Sequence, residues 1–93
     1  MHLATLTVTL YLPEGSSLKD KRHVIKGLVE RVRRKFNVAV AEVGELDLWR
    51  SATLGIATIS NDARHANSSL DKVLDYLESM PEVQVGEVEM EVL

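Results

Sequence analysis

Lys19, Lys26 and Arg33 stand seven residues apart, with Arg22 between the first two. At about 100° per residue, a helix carrying them sets all four cations along one flank. A regular row of cations can track the phosphates of a nucleic-acid backbone, and an affinity made this way falls as salt rises. Arg34 points outward from the same helix, and Arg31 and Lys35 take its other flank. The same charges also fit a solvated helix face, with Arg33, Arg34 and Lys35 favourably placed against the C-terminal end of the helix dipole. Eight of the eleven Lys and Arg residues lie between Lys19 and Lys35, so residues 17–36 carry +6 and the remainder −9.

Trp49, the sole tryptophan, is followed by Arg50 in a connection that also holds Glu45 and Asp47. An aromatic in a loop can anchor a partner or stack on a base, and it can equally fold back over the edge of a core. Other chemistry lacks its parts. With no cysteine, disulfides, thiolate zinc sites, iron–sulfur ligation and cysteine nucleophiles are excluded. His2, His23 and His65 fall on different segments without metal-ligand spacing. The acids between Glu82 and Glu91 alternate along a strand, which is a poor cage for a cation. No glycine-rich dinucleotide motif, phosphate-loop lysine or nucleophile elbow occurs. Pro13-Glu14-Gly15-Ser16-Ser17 lacks the arginine and the extra glycines of an acylphosphatase loop. No catalytic residue, metal or cofactor is therefore assigned, and the expectation is a protein that acts without catalysis.

The elements that must position these residues can be read from periodicity. Leu6-Thr7-Val8-Thr9-Leu10-Tyr11-Leu12 alternates with period two, a strand with one aliphatic face and one face of threonines. Ser17 with Asp20 forms a capping-box pattern that opens a helix, in which Leu18, Ile25, Leu28, Val29, Val32 and Phe36 make one apolar stripe. Gly27 lies opposite that stripe. Residues 38–43 and 52–59 read as two further strands whose inward faces are ambiguous, because both registers are apolar. Asn61-Asp62 offers the next cap, and Ala63, Ala66, Leu70, Val73, Leu74 and Leu77 form a second stripe. In the last strand the apolar phase slips between Val85 and Val88, which predicts a β-bulge at Gly86-Glu87 and places Glu87, Glu89 and Glu91 together on the face away from the core.

A βαββαβ order in 93 residues predicts a single domain, residues 1–93. The α+β fold expected is the ferredoxin-like split βαβ. Its four-stranded antiparallel sheet has strand order 4-1-3-2 and two helices on one face. The uncovered face offers Tyr11 alone as a stacking aromatic and ends in glutamates, so it suits another subunit better than RNA. A homo-oligomer formed through the open face or an edge is the expectation. No apolar run approaches the ~20 residues of a membrane span, and residues 1–12 lack the basic start and continuous apolar stretch of a signal peptide, which points to the cytoplasm.

Ser17-Leu18-Lys19-Asp20-Lys21-Arg22, the run from Lys35 to Val43, Asp47-Leu48-Trp49 and Ser60-Asn61-Asp62 together resemble the YlxP-like family of small bacterial proteins, over nearly the whole chain. The resemblance implies a ferredoxin-like fold and a bacterial cytoplasmic protein. Genes of that family neighbour those for translation initiation and ribosome maturation in some bacteria, which implies an RNA-linked role. It carries no activity or catalytic residue. Two readings follow. In the first, an RNA- or ribosome-associated accessory protein binds phosphate backbone through Lys19, Arg22, Lys26 and Arg33, with Arg34, Lys35, Trp49 and Arg50 as outlying contacts. In the second, a self-associating module binds a protein or small effector with its open sheet.

Overall fold

Alternation along the first strand decides which side of the sheet becomes the core. In a computed structural model that describes residues 1–93, the elements run β1 (His2–Tyr11), α1 (Leu18–Lys35), β2 (Ala39–Gly44), β3 (Ser51–Ser60), α2 (Ala63–Glu78) and β4 (Gln84–Val92). The sheet order is β2-β3-β1-β4, with every neighbouring pair antiparallel. This is the ferredoxin-like α+β arrangement expected from the sequence. Central β1 turns Ala4, Leu6, Val8 and Leu10 into the core, which Leu12 joins just past its end, and leaves its threonines on the opposite face.

Pairing with β1 settles the faces that the sequence leaves ambiguous. Leu54 lies opposite Val8 and Ile56 opposite Leu6, so Ala52, Leu54 and Ile56 face the helices, and Gly55, Ala57 and Ile59 do not. Val40 in turn lies opposite Ile56 and is buried, which turns Ala39 and Ala41 outward. The α1 stripe contributes Ile25, Leu28 and Val32 to the core, and α2 contributes Ala66, Leu70, Val73 and Leu77. Val29, Phe36 and Leu74 pack at the margin of this core. Phe36 and Tyr76 meet edge to face, 5.6 Å between ring centres, and join the C-terminal end of α1 to α2.

Both helix starts form as their side chains require. The Ser17 hydroxyl accepts from the Asp20 amide at 3.0 Å while the Asp20 carboxylate accepts from the Ser17 amide at 3.0 Å, the reciprocal capping box. These bonds hold the Asp20 carboxyl below its usual pKa. The cap's ionic part is therefore complete at neutral pH and fades as pH falls through that lowered value. Asp62 caps α2 through the Arg64 amide at 2.9 Å.

The bulge lies where the phase slip predicts it. Val88 pairs with Val8 and Val85 with Leu10, leaving Gly86 and Glu87 together opposite Thr9. The extra residue lets Val85, Val88 and Met90 share the core side while Glu87, Glu89 and Glu91 share the other. Tyr11 lies across Gly86: a Cβ there would run into the ring and stand 3.3 Å from the Thr9 carbonyl oxygen. The Tyr11 hydroxyl donates to Glu87 at 2.8 Å, which lowers the Glu87 pKa and raises that of Tyr11. The only aromatic of the open face is thus committed to the bulge.

Two glycines with opposite surroundings give opposite expectations. A Cβ at Gly27, inside α1, would meet only Arg31 Nη2 at 4.0 Å, so Gly27→Ala is expected to stabilise by about 0.5–1 kcal/mol in denaturant unfolding. Gly86→Ala must displace the Tyr11 ring and is expected to destabilise by about 1–3 kcal/mol. The linked titration has its own sign. Glu87 keeps its charge and its bond to below the usual carboxylate range, and Tyr11 releases its proton only above the usual tyrosine value. Glu87→Gln is therefore expected to bring the phenolate absorbance transition of Tyr11 back down; an unchanged transition contradicts the pairing.

Candidate functional site

Packing of Ile25, Leu28 and Val32 on the sheet fixes how α1 presents its charges. Lys19, Arg22 and Lys26 emerge exposed on one flank, and none makes a hydrogen bond or ion pair within the chain. Arg33, at the end of the same row, is committed differently: its guanidinium donates to the Val40 carbonyl at 2.9 Å and ties α1 to the edge strand β2. Arg34 lies 4.0 Å from Glu30, a solvent-exposed pair that contributes little. Lys35 sits over the Tyr76 ring, 5.2 Å from its centre. Arg31, on the opposite flank, pairs with Glu82 at 2.8 Å and reaches the Met80 sulfur, joining α1 to the segment before β4. Glu82 is held below its usual pKa by that bond.

The residue that sequence reasoning missed is Lys21. It is fully buried, the only charged residue in the chain that is. Its ammonium donates to the carbonyl oxygens of Glu45, of Leu48 at 2.6 Å and, more weakly, of Leu46 at 3.5 Å, and lies 3.2 Å from Glu42 Oε2. Glu42 Oε2 is itself buried without hydrogen-bond geometry to any donor, so its tie to Lys21 is ionic. The signal was present in the spacing. Lys21 follows Leu18 by three and precedes Ile25 by four, which places it within the apolar stripe. A lysine there must bring its charge a partner, and the β2–β3 loop supplies carbonyls for it.

That loop is shaped to do so. β2 ends in a second register shift, with Glu42 opposite Leu54 and Gly44 opposite Thr53. Glu45 then takes a left-handed backbone, φ 59°, and the Leu48 amide donates to the Glu45 carbonyl at 3.1 Å to close a turn. The far end is tied to the sheet by the Leu12 amide on the Arg50 carbonyl at 2.8 Å. With its carbonyls turned toward Lys21, the loop turns its side chains outward. Trp49 is 60% exposed, and Leu46 and Leu48 are exposed beside it. Trp49 does not fold back over the core edge. Arg50 projects toward Glu14 at 3.9 Å.

The structure therefore brings the loop that carries Trp49 and Arg50 against Lys21 in the first turn of α1; Lys19 lies in that turn and Arg22 just after it. The opposite side of the molecule differs in character. Its open sheet face carries threonines along β1, Glu87, Glu89 and Glu91 along β4, and a shallow depression of about 440 Å³ over Thr5, Thr7, Ala39, Ala41, Gly55 and Ala57. Ile59 is exposed at one end of that depression and Val43 at the other. No helix is long and apolar enough to cross a membrane.

Comparison with known proteins agrees with the resemblance read from the sequence. The family model described as "Protein of unknown function (DUF503)" matches residues 3–90. The chain belongs to the DUF503 family. It is 38% identical over 71 residues to "Uncharacterized protein YlxP" of Bacillus subtilis (strain 168), a match that covers 76% of this chain and 77% of that protein. Neither description assigns an activity, so the reading of this DUF503 chain rests on its own surfaces.

Removing one partner of a buried ionic group leaves the others desolvated and unpaired. Lys21→Met is thus expected to cost about 3–5 kcal/mol of unfolding free energy. Lys26→Met, on the exposed flank, is expected to stay within about 0.5 kcal/mol of the wild type. Equal effects of the two substitutions in urea unfolding would contradict the placement of Lys21.

Proposed function

We propose that this protein is a non-enzymatic accessory factor of bacterial RNA or ribosome biology, working in the cytoplasm and binding phosphate backbone through α1. The observation that carries this reading is that Lys19, Arg22 and Lys26 stand in a row with no partner of their own, in a chain whose net charge is −3. Unpaired cations concentrated on one element of an acidic protein make a local attractive field for a polyanion. Arg33 extends the row while holding β2, and Arg34 and Lys35 lie beyond it. The acids of β4 face away from α1, so a bound backbone meets the helix side and is repelled from the sheet side. Contacts of this kind position a nucleic acid without reading its sequence.

With three to four phosphates engaged, raising salt from 50 to 200 mM is expected to weaken binding to single-stranded RNA about 10- to 50-fold. Reversing Lys19 and Lys26, neither of which is tied within the chain, to glutamate is expected to abolish it. An affinity indifferent to salt, or unaltered in the reversed variant, would defeat the proposal.

A second reading is favoured by one observation on the other face. Ile59 is 63% exposed beside a depression lined by alanines, glycine and threonines, a surface on which another sheet can lie closely. In this reading the chain forms a homo-oligomer through its open face. Sedimentation equilibrium is expected to show a mass that rises with concentration and returns to the monomer in Ile59→Glu. A monomer at every concentration removes this reading and leaves the first untouched.

A further inference from the structure

Resting on the RNA reading above, we infer that the Trp49 loop is a stacking site for one unpaired RNA base, so that the ligand class is single-stranded or looped RNA and not continuous duplex. Three features point to it. An indole that is 60% exposed and flanked by exposed Leu46 and Leu48 sits on a loop whose backbone is held at both ends, by the Lys21 ammonium and by the Leu12 amide. A side chain displayed on a fixed backbone loses little freedom when it binds, which is the condition for a useful contact. The loop is bound to the first turn of α1 through Lys21, so the indole is carried at the N-terminal end of the helix that also bears the unpaired Lys19 and Arg22.

The charges of the loop fit a base better than a phosphate. The Glu45 side chain is exposed to solvent. Arg50 is opposed by Glu14, and Asp47 remains exposed. The loop is therefore close to neutral or slightly acidic, and it offers apolar area where α1 offers charge. Electrostatic tracking by α1 and stacking by Trp49 are then separate contributions to one contact, as in single-strand binding surfaces that pair a basic track with an aromatic platform. Duplex RNA cannot use the platform, because its bases already stack on one another and present no free face.

Trp49 is the only tryptophan, so its emission reports on this site alone. The experiment titrates the full chain at low salt with an oligoadenylate of about a dozen nucleotides, and separately with a blunt RNA duplex of the same length, reading tryptophan emission together with anisotropy of the labelled RNA. The expected result is saturable quenching by the single strand and none by the duplex. Trp49→Ala is expected to weaken single-strand binding about tenfold, with Trp49→Phe recovering part of the loss and duplex binding unaltered in both. Anisotropy that rises while emission stays constant, with Trp49→Ala binding as well as wild type, overturns the stacking site and leaves the α1 proposal standing. Quenching by the duplex to the same extent overturns it as well, and so does a nuclease-resistant protein partner whose binding is lost in Trp49→Ala. No anisotropy change with either RNA overturns the α1 proposal, and the stacking site with it.

Discussion

The Lys21 ammonium joins parts of this fold that apolar packing alone would leave independent. Ile25, Leu28 and Val32 seat α1 on the sheet, but nothing apolar holds the β2–β3 connection, whose large side chains all face solvent. A buried charge supplies the missing constraint. It draws three backbone carbonyls and the Glu42 carboxylate inward, and the geometry of that cage turns the intervening side chains out. A desolvated ammonium tolerates few arrangements of its partners, so the loop has one shape where a purely apolar contact would permit several. The same bonds decide which helix the loop accompanies, and thereby carry Trp49 at the N-terminal end of α1.

A division of charge follows from this layout. The helix layer carries the free lysines and arginine of α1, while the open sheet face ends in the glutamates of β4 beyond the bulge. Arg31 and Arg33, which also belong to the basic run, are spent on tying α1 to the β4 side and to β2 respectively. The run of eight cations is therefore mixed in purpose: some are structural ties, one is an internal cation, and Lys19, Arg22 and Lys26 have no partner within the chain. A polyanion approaching such a molecule is oriented before contact, because the two faces present opposite potentials.

Much of the frame was legible from residue types and spacing. Ser17 with Asp20 announced the start of α1 because each side chain satisfies the other's amide, and the slip between Val85 and Val88 announced the bulge because a period-two pattern admits one extra residue and keeps its face. The inward faces of β2 and β3 were not legible. Val40 and Ile56 alternate with residues that are also apolar, and only pairing with β1 chooses between the two registers. The role of Lys21 was hidden for a related reason. A lysine in a basic run reads as one more surface charge, although its spacing from Leu18 and Ile25 places it in the stripe, and the partners that make its burial tolerable come from carbonyls more than twenty residues away. Backbone acceptors leave no trace in side-chain pattern, so the link between Trp49 and α1 emerged only with the fold.

The direct measurement is a map of backbone and indole amide resonances as a short single-stranded RNA is titrated into the full chain. Shifts gathered at Lys19, Arg22 and Lys26 and at the Trp49 indole N–H, with Thr5, Thr7 and Glu87–Glu91 unmoved, are the expected result. Shifts concentrated on the open sheet face, with α1 silent, would contradict it.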